Sequence, residues 1–300
     1  MKTNRFARGW ALSLSMLTLL LASPMLADDP APKETPLITG VAQLDVTNAY
    51  YFRGILQEKQ GAVLEPWMEL YANLYSSEDG FLRGVTLGAG IWNSVHSERT
   101  AHSNGPQWWY ESDLYPLLTL QFAGGVSLTT VYYLYTSPNA AFSNTQELNF
   151  KLAWDDSDTF GKFAVHPWVN LAIETNNQSF GPYSGEGLQL GIAPVLYASQ
   201  ADKYAVTVTA PCELGLALSD YYEGVDHTPA QGNGGHGENT FGYANIGLLA
   251  SIPLSFMPEQ AGAWTLSVGG KYYAFSETLE TANKGRSTYP VGTISLGVAF

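Results

Sequence analysis

The chain repeats one pattern twelve times, in which about ten residues of alternating polar and apolar character are followed by a turn or a loop. Alternation with a period of two indicates a β-strand whose two faces differ chemically. An even number of such strands suits an antiparallel barrel that closes on itself. The predicted strand segments cover residues 39–54, 62–76, 81–94, 108–123, 125–137, 146–155, 160–175, 187–198, 203–218, 239–252, 262–276 and 289–300.

The connections between these segments alternate in length. Connections after even-numbered segments are mostly tight and lie at residues 77–80, 124–125, 155–158, 199–202 and, somewhat longer, 253–261. Connections after odd-numbered segments are mostly long and include residues 95–107, 176–186, 219–238 and 277–288. Short turns at one rim and long loops at the other are typical of outer-membrane barrels, whereas a β-sandwich has no reason to sort its loops in this way.

Alternate positions of a segment separate apolar from polar side chains. In the second segment Leu64, Met68 and Leu70 share one face, and Glu65 and Glu69 share the other. This pattern alone fits both a membrane barrel and a water-soluble sandwich, because each has one apolar face. Segment length and loop asymmetry favour the barrel. We expect aromatic girdles near the strand ends from Tyr50, Trp108, Trp109, Tyr110, Tyr221, Tyr222 and Tyr289.

The N-terminal segment has the features of a secretory signal peptide. Lys2, Arg5 and Arg8 surround the start of an apolar run at residues 10–22, which is too short to span a bilayer as a helix. No other long apolar run occurs, which excludes a bundle of membrane-spanning helices. The expected organisation is a signal peptide at 1–27, a periplasmic leader at 28–38 and an outer-membrane barrel at 39–300.

Charge and cysteine content narrow the class of protein further. Without the three basic residues of the signal peptide, 11 basic and 27 acidic residues remain, so the formal net charge is 11 − 27 = −16. Such an acidic chain disfavours nucleic acid as a partner. Cys212 is the only cysteine in the sequence, so no intrachain disulfide forms. Export without disulfides fits the envelope of a Gram-negative bacterium.

The last segment resembles the C-terminal assembly signal of outer-membrane barrels, which is an alternating final strand closed by a terminal Phe. The residues that carry this resemblance are Ile294, Leu296, Val298 and Phe300. The resemblance implies that outer-membrane lipid and the barrel-assembly machinery are partners of the chain. An ordinary last strand that happens to end in Phe is the alternative.

Residues 47–57 read TNAYYFRGILQ. This stretch is similar to the first strand of the TorF-like porin (Gcw_chp) family, which has the form Ser/Thr-x-x-Tyr-x-x-Arg-Gly-x-x-Gln. The resemblance implies a small outer-membrane barrel and gives no solute or mechanism. From the residues themselves, Gly54 is suited to open a turn where the first segment ends, and Arg53 is suited to pair with acids in the lumen.

No catalytic or metal-binding motif stands out. The histidines have neither zinc-site spacing nor a nucleophile elbow beside them, so we expect no enzyme activity, no metal site and no cofactor. Two loops keep alternatives open. The loop that contains His96 and His102 combines Ser, His and acid, as an outer-membrane lipid hydrolase would, and a Gly-rich loop at residues 226–238 contains two more histidines.

The predicted inner face carries more acids than bases. The residues assigned to the lumen are Asp45, Arg53, Glu65, Glu69, Glu111, Asp113, Glu147, Lys151, Lys162, His166, Glu174, Glu213 and Lys271. A negative wall favours cations over anions if water fills the interior. We therefore expect a porin that passes small polar solutes and prefers cations. Because twelve strands make a narrow barrel, a plugged structural or adhesive barrel that works through its loops is the main alternative.

Overall fold

The chain forms a closed antiparallel β-barrel. The computed structural model describes residues 36–98, 107–178, 184–199, 205–223 and 240–300. Within these residues the strands are β1 (Ile38–Thr47), β2 (Tyr50–Phe52), β3 (Ile55–Glu58), β4 (Val63–Ser76), β5 (Leu82–His96), β6 (Trp109–Phe122), β7 (Val126–Thr136), β8 (Thr145–Trp154), β9 (Trp168–Asn176), β10 (Glu186–Ile192), β11 (Val195–Ala198), β12 (Thr207–Thr209), β13 (Cys212–Ala217), β14 (Phe241–Pro253), β15 (Ala263–Phe275) and β16 (Thr288–Ala299).

Helical segments are short and lie in the connections. The α-helices are α1 (Ser157–Phe160) and α2 (Glu277–Ala282), and the 3-10 turns are Ala123–Gly125, Gly161–Phe163, Asp220–Tyr222 and Glu259–Ala261. Among the described residues, no helix is both long and apolar enough to cross a membrane.

The barrel wall has twelve strand positions and closes between the first and the last strand. Every neighbouring pair is antiparallel, and β1 pairs with β16 from Val41 opposite Ala299 to Thr47 opposite Thr293. At the seam, Gly40 and Phe300 exchange both backbone hydrogen bonds, at 2.7 and 2.9 Å. The predicted twelve-stranded antiparallel barrel is confirmed.

Two of the twelve wall strands are interrupted at the same level. One consists of β10 and β11 with Ala193 and Pro194 between them, and its neighbour consists of β12 and β13 with Ala210 and Pro211 between them. Proline has no N–H to give to a ladder. The carbonyl groups of both prolines still accept hydrogen bonds. Ala210 N–H donates to the Pro194 carbonyl at 3.0 Å, and Gly247 N–H donates to the Pro211 carbonyl at 2.7 Å.

The barrel is polar inside and apolar outside, the reverse of a water-soluble sandwich. On β1, Gln43, Asp45 and Thr47 face inward and are buried, whereas Leu44 and Val46 face outward and are exposed. The same division holds on β4, where Glu65 and Glu69 are buried and Met68 and Leu70 are exposed. An apolar outer surface around a polar interior is the arrangement of a transmembrane barrel. The outward-facing apolar side chains therefore meet lipid.

Connection length follows the predicted asymmetry, with one exception. The short-turn end has the connections 77–81, 123–125, 199–206 and 254–262. The long-loop end has the connections 48–62, 97–108, 137–144, 177–185, 218–240 and 276–287, of which 137–144 is the shortest. The exception is the connection from β8 to β9, which covers residues 155–167 instead of the predicted four-residue turn. The predicted seventh strand therefore begins at Trp168 and not at residue 160.

Asp156 organises this longer turn. Its carboxylate accepts hydrogen bonds from the backbone N–H groups of Val165, at 3.0 Å, and His166, at 2.9 Å. Burial raises the pKa of the Asp156 carboxyl, but these two hydrogen bonds, a third from its own backbone N–H and the nearby His166 together lower it more, so its pKa lies below the ordinary value. The charged carboxylate thus holds residues 165 and 166 away from the strand.

Two residues that were assigned to the lumen lie in this turn. Lys162 belongs to a 3-10 turn and is exposed, with its Nζ 5.0 Å from the centre of the Phe163 ring. His166 has a positive φ of 49°, and its Nδ1 lies 3.5 Å from Asp155 and 3.6 Å from Asp156. The prediction that these two side chains lie on the inner face of a strand is wrong. The hydrogen bonds that Asp156 accepts keep the backbone in a turn until β9 begins.

We predict that Asp156→Asn destabilises the barrel by about 1–2 kcal/mol at pH 7, because an amide nitrogen cannot accept the second N–H. The lowered pKa means that this stabilisation is complete above the ordinary carboxyl pKa and is lost as pH falls through the lowered one. The difference between variant and parent should therefore shrink below about pH 4. Urea titration at several pH values measures it. Asp158→Asn, at an exposed position of the same turn, is the control and should change little.

The C-terminal ring fits a notch on the outer surface. A Cβ on Gly40 would lie 2.7 Å from two atoms of the Phe300 ring and 2.9 Å from Leu70, so the glycine leaves room for the ring beside the seam. Ile294 and Leu296 lie on the same outward face and are exposed. The four residues of the predicted assembly signal therefore end a lipid-facing stripe, and their role in assembly remains a prediction.

We predict that Gly40→Ala destabilises the closed barrel by about 1 kcal/mol or more, because the added methyl group must displace the Phe300 ring or Leu70. The measurement is the temperature at which the folded band on a semi-native gel shifts to the position of boiled protein. Gly292→Ala is the matched control, since the nearest atom to its Cβ is 4.0 Å away. Equal transition temperatures for the two variants would show that the notch is not tight.

Candidate functional site

A small hairpin folds into the barrel from the long-loop end. It comprises residues 50–58, in which β2 and β3 pair with each other. Its tip, Arg53 and Gly54, has positive φ values of 45° and 83°. Two consecutive residues with positive φ form the tight turn that two-residue hairpins prefer. We call residues 50–58 the inward hairpin. The predicted first strand, 39–54, therefore ends at Thr47, and the rest of it enters the lumen.

The guanidinium of Arg53 anchors the tip of the inward hairpin to the opposite wall. It donates to both carboxylate oxygens of Glu147 on β8, to the hydroxyl of Tyr221, and to Asn149 Oδ1 at 3.2 Å. Arg53 and Glu147 are only 2% and 0% exposed. A bidentate Arg–carboxylate pair is the strongest common form of side-chain ion pair. The hairpin is thus held by one buried charge pair and the hydrogen bonds around it.

Aromatic rings and one asparagine support the body of the inward hairpin. Tyr51 stacks on Tyr273 and Phe275 of β15, with ring centres 5.4 and 5.1 Å apart. Asn283, just after α2, accepts from Leu56 N–H and donates to the Gly54 carbonyl, both at 2.8 Å. Backbone groups that the hairpin leaves unpaired are therefore satisfied by the loop between β15 and β16.

Tyrosine hydroxyls hold the carboxylates of the inner wall. Glu69 accepts from Tyr71 and from Tyr115 at 2.8 Å. Glu111 accepts from Tyr50 at 3.0 Å. The same arrangement recurs where Tyr135 donates to Glu147 at 3.1 Å and Tyr243 donates to Glu213. A phenol hydroxyl supplies a hydrogen bond without adding charge, so these bonds do not neutralise the acids, although Glu147 and Glu213 also face Arg53 and Lys271.

These contacts correct part of the predicted aromatic girdle. Tyr50, Tyr110, Tyr221 and Tyr222 are buried inside the barrel, where they pack on the hairpin and on each other. Trp108 is exposed at the long-loop end, where a girdle residue is expected. The sequence pattern placed the four tyrosines near strand ends correctly, but it did not show that the loops turn inward there.

The residues assigned to the lumen, apart from Lys162 and His166, lie in the interior. Those that are buried are Asp45, Arg53, Glu65, Glu69, Glu111, Asp113, Glu147, Lys151 and Glu174, and Glu213 and Lys271 are largely covered. Eight acids thus face three bases. Lys151 lies over the Trp168 ring at 4.7 Å, and Lys271 Nζ lies 4.0 Å from Glu213 Oε2. The negative surplus is larger than the sequence predicted, because Lys162 is outside.

Several polar wall residues were absent from the sequence-based set. Asn149, Asn170 and Gln189 form a chain, since Asn170 Nδ2 donates to Asn149 at 2.8 Å and to Gln189 at 3.0 Å. Gln189 in turn donates to Glu213 at 3.0 Å. Asn245 lies on the same side of the barrel. Alternation places all four on the inner face, but amides carry no charge and were passed over for that reason.

The interior is packed at the level of the inward hairpin and also near much of the short-turn end, where inward-facing Ser127 and Ser267 are buried. Polar wall residues near the hairpin, such as Asn149 and Asn170, are almost completely buried. In contrast, all four residues of β11 are exposed, although alternate residues of a strand face opposite sides. Within the described residues, solvent therefore reaches both faces of the wall at β11.

Ser94, His96 and Glu58 form a cluster that resembles part of a hydrolase triad. Ser94 Oγ lies 2.9 Å from His96 Nε2, and His96 Nδ1 lies 3.9 Å from Glu58 Oε2. The second distance exceeds a hydrogen bond, and Glu58 Oε1 accepts from the N–H groups of Lys59 and Gln60. Ser94 is 0% exposed and faces the lumen. His102 and the Gly-rich loop at 226–238 lie outside the described residues.

Comparisons with known proteins give no function. No protein-family model matches the chain, and no curated protein matches it. Among solved structures it is similar to an outer membrane channel from Pseudomonas putida F1, with 13% identity over 91% of this chain and 100% of that one and a TM-score of 0.46. It is also similar to outer membrane phospholipase A from Escherichia coli, with 12% identity, coverage of 87% and 92%, and a TM-score of 0.37.

A third solved structure that the chain resembles is the translocator domain of the autotransporter NalP from Neisseria meningitidis. The identity is 12%, each chain is covered over 90% of its length, and the TM-score is 0.32. These three barrels differ in what their names say they do. The likeness therefore leaves the function to be argued from the residues of this chain.

We predict that Arg53 and Glu147 are strongly coupled. Removing one partner of a buried ion pair leaves the other charge unpaired and costs about 3–5 kcal/mol, so Arg53→Met or Glu147→Leu alone should destabilise the barrel by that amount. The double variant should cost less than the sum of the two single variants. Urea unfolding in lipid vesicles measures the cycle, with Lys162→Met as the control for loss of an exposed charge. Additive costs would mean that the pair does not hold the hairpin.

Proposed function

We propose that the chain is an outer-membrane porin that passes small polar solutes, prefers cations, and is described here in its closed state. The observation that carries this proposal is the inward hairpin, which blocks an otherwise polar barrel and is fixed at its tip by one ion pair, Arg53 with Glu147. The hairpin strands pair with each other, so the hairpin can leave the lumen by breaking side-chain contacts such as Arg53 with Glu147, without breaking a backbone hydrogen bond between wall strands.

The charge of the inner wall supports a preference for cations. Of the residues assigned to the lumen, eight acids and three bases lie in the interior, and four of the acids accept hydrogen bonds from uncharged tyrosine hydroxyls. When water enters such a lumen, the field of the wall attracts cations and repels anions. Because acids outnumber bases, Glu147 can pair with Arg53 of the hairpin and the wall still keeps a net negative charge.

Outer-membrane placement and export belong to the same proposal. The apolar outer surface suits lipid, the terminal stripe that ends at Phe300 suits recognition by the barrel-assembly machinery, and residues 1–27 suit secretion. Membership of the TorF-like porin family rests on the similarity of residues 47–57 alone. That stretch forms the inward hairpin, so the matching Arg53 and Gly54 would have their role at the hairpin tip.

Two alternatives assign the barrel a different role. In the first, the hairpin never leaves the lumen and the barrel acts through its outer loops. In the second, Ser94 and His96 hydrolyse lipid. The hairpin favours neither, and the second is weaker because Ser94 is buried and faces the lumen, away from the surrounding lipid. We therefore propose that the protein is not an enzyme.

Single-channel recording in planar bilayers tests the proposal. We predict that replacing residues 50–58 by a short Gly-Ser linker gives a larger and steadier conductance than the parent. The Arg53→Met/Glu147→Leu double variant should open more often than the parent, and Lys162→Met should behave like the parent. Reversal potentials in a salt gradient should show selectivity for cations. A barrel without the hairpin that folds yet carries no current would favour the plugged alternative.

A further inference from the structure

Three neighbouring strands bring a carboxylate, an amide and an ammonium group together on the inner wall. Glu213 of β13 lies opposite Asn245 of β14, and Asn245 lies opposite Tyr273 of β15. Lys271, two residues from Tyr273, lies opposite Gly247, a position that adds no side chain. We call Glu213, Asn245 and Lys271 the amphoteric cluster, because together they offer a negative group, a positive group and an amide that both donates and accepts.

Asn245 is the unusual member of the amphoteric cluster. Its side chain is only 6% exposed, and within the described parts of the chain neither its Oδ1 nor its Nδ2 has a hydrogen-bond partner. The nearby amide of Gln189 is satisfied differently, since it donates to Glu213 and to Tyr243, both at 3.0 Å. A buried amide without partners costs about 1–3 kcal/mol. Such a group on the wall of a lumen points to a ligand that completes it.

Glu213 and Lys271 face each other without a close contact. Lys271 Nζ lies 4.0 Å from Glu213 Oε2, beyond the 2.7–2.9 Å typical of a charge-assisted hydrogen bond. The other oxygen of Glu213, Oε1, is already bound by Gln189 and Tyr243. The carboxylate is thus fixed from one side, and its second oxygen faces the Lys271 ammonium group.

These groups are complementary to a small zwitterion. We propose that the amphoteric cluster binds an α-amino acid, whose ammonium group pairs with Glu213 and Asn245 Oδ1 and whose carboxylate pairs with Lys271 and Asn245 Nδ2. A simple cation would meet the Lys271 ammonium, and a simple anion would meet the Glu213 carboxylate. A zwitterion satisfies both charges and the amide together and leaves the net charge of the interior unchanged.

The position of the cluster gives it a place on the path of the proposed channel. The rings of Tyr243 and Tyr273 lie on its long-loop side, with centres 6.0 Å apart, and Tyr273 stacks on Tyr51 of the inward hairpin. On the short-turn side, all four residues of β11 are exposed. In the proposed channel, a solute from that end meets the cluster beside the rings that hold the hairpin. The inference deepens the proposed porin function by naming a class of solute.

Binding to the detergent-solubilised barrel tests the inference without any need for conductance. The probe is glycine, titrated by calorimetry, with acetate and methylammonium as the two halves of a zwitterion. We expect saturable binding of glycine, and binding at least about tenfold weaker for either half alone, which corresponds to the loss of one charge pair. Equal binding of glycine and acetate would overturn the zwitterion assignment, as would no binding of glycine.

Variants locate the site. Asn245→Leu and Lys271→Met should each weaken glycine binding at least about tenfold, since each removes a group with which the carboxylate pairs. Asn73→Leu is the matched control, because Asn73 donates to the Pro36 carbonyl at the short-turn end, away from the cluster, and should leave glycine binding unchanged. Heat-modifiable migration on gels checks that each variant folds. Binding that Asn245→Leu does not alter would overturn the proposed site.

The binding result and the channel result separate the two proposals. Glycine binding by a barrel that carries no current, with or without the hairpin, would keep the site and reject the porin. Cation-selective current through a barrel that does not bind glycine would keep the porin and reject the amphoteric cluster as its solute site.

Discussion

The structure depends on the requirement that a sheet in lipid must close. Hydrocarbon offers no water to backbone N–H and C=O groups, so every strand edge has to find another strand. Here β1 and β16 meet that requirement, and Gly40 and Phe300 complete the seam with two backbone hydrogen bonds. A closed barrel of twelve strands has a narrow interior, so wall side chains and the inward hairpin are sufficient to fill much of it.

Filling that interior with acids creates a second problem, which the chain solves with phenols more than with bases. Buried carboxylates need hydrogen bonds, and tyrosine hydroxyls provide them without neutralising the charge. Within the described residues, the bidentate ion pair of Arg53 with Glu147 is used where the hairpin must be held. Attachment of the hairpin and the negative charge of the wall are therefore carried largely by different contacts.

The sequence predicted what depends on local periodicity and missed what depends on loops that turn back. Twelve strands and their inner faces followed from alternation, since orientation in a strand is set by parity alone. The inward hairpin was read as strand because residues 50–54 continue the alternation, although Arg53-Gly54 carried a turn signal. The positions predicted for Lys162 and His166 were wrong because Asp156 accepts hydrogen bonds from two backbone N–H groups of the turn. Such bonds leave no periodic pattern in the sequence. Asn245 was missed because its significance is the lack of a partner, which only the fold reveals.

The two prolines that lie side by side in the wall have a mechanical consequence. Pro194 and Pro211 remove two ladder donors from neighbouring strands at one level of the sheet, and the membrane supplies no water to replace them. The seam between the first and last strands, in contrast, is fully bonded. The softest part of this cylinder is therefore within its continuous wall, and bending or breathing of the barrel should concentrate there rather than where the two ends of the sheet meet.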